Sequence, residues 1–153
     1  MIDSIDRDIL SILERDARVS FKDLAERVGL SANAVSERVR KLQDQGVIAA
    51  FKAEVDPSAF GLTLRAFIEV KLEGSTTASR FEALAARTAG VVRALVTTGK
   101  YDLLLEVIAR DQTDLQRIIE DLRAGGLTRD TYSRVVATDR RFPLTPSSAI
   151  IHH

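Results

Sequence analysis

The apolar residues of this 153-residue chain change their spacing near Val47. Before that point they recur every three or four residues, which is the period of an α-helix. After it they alternate with more polar residues, which is the period of a β-strand. The change predicts helices within residues 1–46 and a sheet-containing region beyond them, so we expect two small domains of different class.

Residues typical of helix ends divide the first stretch into three predicted helices. Asp3, Ser20 and Ser31 each precede an apolar periodic run, as N-cap residues do. Gly29 and Gly46 follow the second and third runs, where a helix commonly stops. The apolar residues expected to pack these helices together are Ile5, Ile9, Ile12, Leu13, Phe21, Leu24, Ala25, Val28, Ala32, Val35, Val39 and Leu42.

The second stretch predicts the order strand, helix, strand, strand, helix, strand over residues 62–138. This βαββαβ order is that of the split ferredoxin-like fold. We expect the first helix over 77–89 and the second to begin near Asp111 and Asp114. The strands are expected over 64–72, 91–98, 101–109 and 131–138, with Gly99-Lys100 as a two-residue hairpin loop between the middle pair.

A linking segment is predicted between the two stretches. Residues 47–55 alternate apolar and polar side chains, which predicts a half-buried strand. The turn-forming residues 56–58 and Gly61 follow it, and we place the domain boundary there.

Residues 20–42 have the pattern of a helix-turn-helix. That motif needs a short helix, a tight turn, here containing Gly29, and a following helix with polar side chains in its N-terminal half. Opposite its apolar face the third helix carries side chains that can hydrogen-bond base edges in the major groove, namely Asn33, Ser36, Glu37 and Arg40. Arg38 and Lys41 flank this set and are expected to meet phosphates. Lys22 and Ser31, at the starts of the second and third helices, complete the predicted DNA-contacting residues.

Two observations weigh against DNA binding. Polar residues cover the outer face of any soluble helix, so the polar face of the third helix is not specific to DNA contact. The second observation is the charge balance. The chain has 22 basic and 22 acidic residues, and residues 1–60 hold nine basic and eleven acidic ones. DNA binding therefore has to depend on a local patch and on geometry.

Several segments, taken in order, are similar to one known family. They are Ile5-Asp6-Arg7-Asp8-Ile9-Leu10, Asp16-Ala17-Arg18, Leu24-Ala25 through Val28-Gly29-Leu30-Ser31, Arg38-Val39-Arg40-Lys41-Leu42 to Gly46-Val47-Ile48, and Thr98-Gly99-Lys100-Tyr101-Asp102. Over about residues 2–143 this set resembles the leucine-responsive/AsnC (Lrp/AsnC) family of transcriptional regulators. The last segment is similar to that family's Gly-x-Tyr/Phe-Asp loop.

The resemblance implies an α+β protein in four parts. Residues 1–48 would form a winged helix-turn-helix that binds double-stranded DNA, and residues 49–61 a hinge strand and linker. Residues 62–142 would form a ferredoxin-like domain for effector binding and oligomerisation. Beyond the resemblance, the sequence itself leads us to expect a tail over residues 143–153, with His152 and His153 as a tag remnant. The family implies homodimers that assemble into larger even oligomers, tetramers or octamers, with an amino-acid effector bound between subunits.

The chemistry of the loop at residues 98–102 fits such an effector. Asp102 can pair with an ammonium group, and backbone N–H groups around Gly99 and Lys100 can hold a carboxylate. The resemblance adds Thr98 and Tyr101 to the predicted effector site. The alternative is that the loop is only a hairpin turn, because hairpins favour glycine for steric reasons, and that Tyr101 is a core or interface residue.

Other functional classes are disfavoured. The chain has no cysteine, and its two histidines lie at positions 152 and 153, so we expect no catalytic site, no metal site and no cofactor. No apolar run has membrane-spanning length, and we expect a cytoplasmic protein without a membrane partner. Two alternatives stay open, namely an architectural DNA-binding protein without an effector and a small-molecule enzyme of ferredoxin-like fold.

Overall fold

A computed structural model describes residues 2–140, which form two compact units, one of residues 2–54 and one of Val55–Asp139. The tail predicted for residues 143–153 lies outside the described residues. None of the helices within residues 2–140 has the length and apolar character needed to cross a membrane.

The first unit is a bundle of three helices, α1 (Ser4–Arg15), α2 (Phe21–Val28) and α3 (Ala32–Asp44). Each helix turns its apolar face inward, as the helical period predicted. The buried residues of this core are Ile9, Leu13, Leu24, Ala25, Val35, Val39 and Leu42.

The predicted caps are confirmed. Asp3 and Asp6 form a capping box: the N–H of Asp6 donates to Oδ1 of Asp3 at 2.8 Å, and the N–H of Asp3 donates to Oδ2 of Asp6 at 3.2 Å. Ser20 and Ser31 each accept a hydrogen bond from the backbone N–H three residues later, at 3.1 and 3.2 Å. Gly29 ends α2 at a φ of 70°, a conformation that glycine adopts without strain.

Two residues predicted in this core are exposed instead, Phe21 and Ala32. They are the first residues of α2 and α3, where a helix has not yet reached the packed interior. The Phe21 side chain lies beside Val19 and Phe51 along a shallow apolar groove.

The strand predicted over residues 47–55 is wrong. These residues have no strand structure and pair with no other segment between residues 2 and 140. The side chains of Val47, Phe51 and Val55 are exposed, so the alternation does not mark a buried face. A strand forms only where a neighbouring backbone accepts its hydrogen bonds, and sequence alternation alone does not supply one. A single turn of 3₁₀-helix, Pro57–Phe60, follows this segment.

The second unit is a four-stranded antiparallel sheet with two helices, and it confirms the predicted βαββαβ order. The strands lie in the order β2-β3-β1-β4. Along the chain the elements are β1 (Leu64–Leu72), α4 (Ala78–Ala85), β2 (Val91–Val96), β3 (Leu103–Ala109), α5 (Gln112–Ala124) and β4 (Thr128–Val135).

The core of this unit lies between one face of the sheet and the helices. Ala66, Ile68 and Val70 of β1 are fully buried, and alternate residues of β3 stand opposite them. Phe81 of α4 and Ile118 of α5 belong to the same cluster. The intervening residues of β1 lie on the other face of the sheet and are only half-buried.

Helix α4 is shorter than the predicted 77–89. It begins after Thr77, as expected, but ends at Ala85. The N–H groups of Arg87 and Thr88 donate to carbonyls three residues earlier, at 3.0 and 3.1 Å, so the chain tightens out of the α-helical pattern.

The loop between β2 and β3 is also longer than predicted. The last paired residues are Val96 and Leu103, so the loop spans residues 97–102 and not Gly99-Lys100 alone. The two ends of this loop stay bonded, because the N–H of Thr97 donates to the carbonyl of Asp102 at 2.9 Å. The N–H of Asp102 in turn donates to the carbonyl of Val70 in β1 at 2.9 Å, which holds the end of the loop against that strand.

Gly90 marks a close approach between α5 and the sheet, and its replacement is expected to be costly. A Cβ at this position would lie 2.5 Å from Cδ1 of Ile118 and 3.0 Å from the carbonyl oxygen of Ile108, at a φ of 98°. Gly126→Ala is a matched control, because Gly126 also has a positive φ but open space around it. We expect Gly126→Ala to cost about 1 kcal/mol and Gly90→Ala about 1–3 kcal/mol more in urea unfolding. Equal losses would mean that the close approach is relieved without cost.

Candidate functional site

Helix α3 presents one polar face to solvent. Asn33, Glu37 and Arg40 are exposed and follow one another at helical spacing, opposite the buried Val35 and Val39. Ser36 lies at the edge of this face and is half-buried. We call Asn33, Ser36, Glu37 and Arg40 the reading face. All four are the residues predicted to contact bases, and the helix brings them together.

Arg40 is the cation of the reading face, and it is highly accessible. Its side chain is 84% exposed, and its Nε lies 3.9 Å from Oδ2 of Asp44 one turn later. An ion pair that is exposed at this distance contributes little, because water screens both charges. The guanidinium can therefore leave Asp44 for a base edge at small cost.

Two of the predicted phosphate contacts, Lys22 and Lys41, are exposed at the start of α2 and on α3. Ser31 serves α3 as its N-cap. Arg38, also a predicted phosphate contact, is half-buried, and its guanidinium is bonded within the unit.

The contacts of Arg38 are with the first turn of α1. Its Nη1 donates to Oδ2 of Asp3 and to Oδ1 of Asp6, both at 2.7 Å. These hydrogen bonds to Asp3 and Asp6 raise the pKa of Arg38, and the pKa of Asp3 is lowered by the N–H of Asp6 and by Arg38. No local sequence signal indicates this pairing, because the partners are 32 and 35 residues away from Arg38.

Asp102, at the end of the loop 97–102, is bonded to the neighbouring strand. Its Oδ2 accepts a hydrogen bond from the N–H of Leu72 at 2.8 Å, and its Oδ1 accepts one from Nζ of Lys71 at 2.9 Å. These two hydrogen bonds, first that of Leu72 and then that of Lys71, hold the pKa of Asp102 below its usual value. Asp102 is therefore a charged group fixed in place at the end of β1.

The remaining predicted effector residues are exposed along the loop. Thr98, Gly99 and Lys100 are exposed, and Tyr101 is half-buried. Within residues 2–140, the backbone N–H groups of residues 98–101 donate to no other backbone group. They are available to an anion, as expected for a carboxylate-binding loop.

Two residues that the sequence did not single out join this site, Lys71 and Asp130. They are opposite each other in the pairing of β1 with β4. The hydroxyl of Tyr101 donates to Oδ2 of Asp130 at 3.5 Å, and Nζ of Lys100 lies 5.1 Å from the centre of the Tyr101 ring. Only the strand register brings these residues together, so no local sequence signal could have found them.

We refer to Lys71, Lys100, Tyr101, Asp102 and Asp130 as the loop cluster. It combines two ammonium groups with two carboxylates beside available N–H groups. Such a mixed arrangement suits a zwitterion, which needs a partner for each of its two charges. Within residues 2–140 no group of acidic, histidine or cysteine side chains is arranged to hold a metal ion.

Comparison with known proteins assigns both units. A model of winged helix-turn-helix DNA-binding domains matches residues 2–49, and a model of the Lrp/AsnC ligand binding domain matches residues 65–139. The chain belongs to the Lrp/AsnC family of transcriptional regulators. The winged class comes from this match, since no strand forms within residues 2–54 of the structure.

Individual relatives agree with this assignment. A leucine-responsive regulatory protein of Rhizobium meliloti is 41% identical over 127 residues, which are 80% of this chain and 81% of that protein. The AsnC structure from E. coli superposes with a TM-score of 0.84 at 26% identity, covering 93% of this chain and 96% of that one. A transcriptional regulator of Neisseria meningitidis in complex with L-methionine gives a TM-score of 0.85 at 26% identity, covering 95% and 96%.

The family therefore establishes a DNA-binding transcriptional regulator of Lrp/AsnC type. The family is one of transcriptional regulators. The resemblance that the ordered motifs indicated is confirmed, as is the α+β fold with a helix-turn-helix followed by a ferredoxin-like sheet.

The bonds of Asp102 predict a pH dependence of stability. Because its pKa is lowered in the folded protein, Asp102 stabilises the fold above the usual aspartate pKa of about 4. This contribution is lost as the pH falls through the lowered value. Asp102→Asn should therefore be less stable than the wild type at pH 7 in urea unfolding, and the difference should shrink at about pH 3.

The control for this measurement is Glu82→Gln, which removes an exposed carboxylate on α4. We expect its stability to follow that of the wild type at every pH. A difference between Asp102→Asn and the wild type that stayed constant from pH 7 to about pH 3 would show that the charge of Asp102 is not what stabilises the loop.

Proposed function

We propose that this Lrp/AsnC regulator recognises a specific double-stranded DNA sequence through the reading face of α3, and that an amino-acid effector modulates its DNA binding or its assembly. The observation that carries the first half is the exposed set of Asn33, Glu37 and Arg40 on the second helix of a helix-turn-helix. Asn suits adenine, Arg suits guanine and Glu suits the amino group of cytosine. Because the target is DNA, we propose that it acts in the cytoplasm, associated with the nucleoid.

The charge of the chain favours a function that depends on several copies. Its net charge is zero, and Arg38 is engaged in ion pairs, so one copy has little attraction for phosphates. We propose a homodimer that places two copies of α3 in successive major grooves, with half-sites about 10 base pairs apart. Assembly into a tetramer or octamer would multiply these weak contacts.

The effector we propose is an α-amino acid held by the loop cluster at a subunit interface. The N–H groups of residues 98–101 suit its carboxylate, and Asp102 and Asp130 suit its ammonium group. Asp102 can still accept a further hydrogen bond, because a carboxylate offers about four acceptor positions and two are used. The L-methionine complex of the Neisseria meningitidis relative supports this class of ligand.

An effector at this site regulates the protein only if it binds two states unequally. We propose that these states are assemblies of different size or geometry, since the effector would lie between subunits. Binding would then shift the population of assemblies and with it the spacing or number of reading faces presented to DNA.

A second function, that of an architectural DNA-binding protein without an effector, is favoured by one observation. Both oxygens of Asp102 are already bonded to β1, which is what a purely structural turn requires. The same helix-turn-helix would serve this function, so only ligand binding separates the two.

Replacement of Arg40 tests the reading face. We expect Arg40→Ala to weaken binding to a DNA sequence selected by the wild-type protein by ~1–3 kcal/mol, with a much smaller effect on random DNA, because a base contact is lost. Fluorescence anisotropy on both DNAs at one salt concentration measures this. The control is Arg80→Ala, which removes an exposed arginine from α4 and should change neither affinity. An equal loss on both DNAs would make Arg40 a phosphate contact.

A thermal-shift screen of the twenty amino acids, followed by DNA binding in the presence of those that stabilise the protein, tests the effector. We expect at least one amino acid to raise the melting temperature, since a ligand that binds only the folded state stabilises it. The Asp102→Ala protein should lose this rise in melting temperature but still bind DNA. The Glu82→Ala protein, changed on α4, should show the rise in melting temperature and bind DNA like the wild type.

Stabilisation by no amino acid would support the architectural function. A response that persists in Asp102→Ala would show that the loop around Asp102 is only a turn.

A further inference from the structure

Arg38 connects the start of α1 to the middle of α3. Its Nη1 lies 2.7 Å from a carboxylate oxygen of Asp3 and 2.7 Å from one of Asp6. The side chain of Asp6 is 13% exposed and that of Arg38 31%, so this contact is partly shielded from water. Partly buried pairs of this kind hold their geometry better than exposed ones, because solvent screens them less.

The two carboxylates each divide their oxygens between two partners. Oδ1 of Asp3 and Oδ2 of Asp6 make the capping box of α1, while Oδ2 of Asp3 and Oδ1 of Asp6 accept from Arg38. The cap and the ion pairs therefore form one closed network. We call Asp3, Asp6 and Arg38 the α1–α3 clamp.

Arg38 points away from the reading face. It precedes the buried Leu42 by four residues, one helical turn, and so lies beside the packed side of α3. The reading-face residues Glu37 and Arg40 lie on the solvent side. The clamp residues line a shallow depression together with Glu37 and Lys41, so the clamp borders the Glu37 edge of the reading face.

The charges of the clamp add no attraction for DNA. Two carboxylates surround one guanidinium, so the group as a whole is negative. Arg38 would have to leave both partners to reach a phosphate, and Asp3 and the partly buried Asp6 would then lie without their cation near a polyanion. Electrostatics therefore favour the clamp over a phosphate contact in the DNA-bound protein also.

We propose that Arg38 is a positioning residue for DNA reading: with Asp3 and Asp6 it fixes the orientation of α3 relative to α1, and it contacts no phosphate itself. This inference rests on the proposed reading of DNA by α3. A base contact needs the side chain within hydrogen-bond distance, so a small rotation of α3 costs sequence-specific binding while leaving general attraction to phosphates unchanged.

The test compares Arg38→Gln with Lys41→Gln in the full-length protein. Both remove one positive charge from α3, and of the two residues only Lys41 is exposed. Affinities for the selected DNA and for random DNA are measured between 50 and 200 mM salt. Lys41→Gln should weaken both affinities alike and reduce the salt slope by about 0.9, the value for one phosphate contact.

For Arg38→Gln we expect an unchanged salt slope, an affinity for random DNA within about twofold of the wild type, and a loss of about tenfold on the selected DNA, the size of one base contact. Arg38→Lys should lose affinity for the selected DNA in the same way, since a single ammonium does not reproduce the guanidinium geometry. Asp3→Asn combined with Asp6→Asn should also weaken only the selected DNA, although it removes negative charge.

Three results would overturn the proposal: a reduced salt slope in Arg38→Gln, full recovery in Arg38→Lys, or tighter binding to both DNAs in the Asp3→Asn and Asp6→Asn protein. If Arg38→Gln does not fold, as judged by circular dichroism, the affinity of the charge-retaining Arg38→Lys for the selected DNA decides between the positioning role and a phosphate contact. A wild type that does not distinguish its selected DNA from random DNA would instead refute the proposed sequence-specific function, and the salt slopes would still assign or exclude a phosphate contact for Arg38.

Discussion

The second unit is organised around β1, one of the two central strands of its sheet. It hydrogen-bonds to β3 on one side and β4 on the other, and its inward residues Ala66, Ile68 and Val70 are fully buried. Most of its outward residues carry charge, and Arg134 of β4 reaches Glu69 at 2.7 Å. A shift of β1 by one residue would exchange the apolar and charged faces, so the whole sheet depends on this register.

The neutral composition conceals how the charges are used. Many basic residues of the described chain form ion pairs with acidic residues. Arg38 pairs with Asp3 and Asp6, Lys71 with Asp102, and Arg117 with Asp114 and Asp121 at 2.8 Å. Asp114 has a lowered pKa because the N–H of Arg110 and the guanidinium of Arg117 donate to it. Since these cations serve the fold, net charge is a poor measure of the exposed cations that we propose for DNA contact, Lys22, Arg40 and Lys41.

Local signals in the sequence predicted most elements, and the errors have a common cause. Asp3, Ser20, Ser31 and Asp111 begin helices because a cap bonds only to backbone two or three residues away, which the sequence displays directly. The strand expected at 47–55 and the short hairpin loop failed because pairing depends on distant backbone. The same division holds for the sites. The reading face follows from helical spacing alone, whereas the partners of Arg38 and the membership of Lys71 and Asp130 in the loop cluster follow from tertiary contacts.

The bond between Asp102 and Leu72 ties a surface loop to the centre of the sheet. The pairing of β1 with β4 shifts between Lys71 and Leu72, and at this irregularity the N–H of Leu72 takes the carboxylate of Asp102 as its acceptor. The hydrogen on that nitrogen thus records whether the loop is closed onto β1. Opening of the loop would free this N–H for exchange with deuterated solvent without unfolding of the sheet. One amide signal would therefore report on the loop that we propose holds the effector.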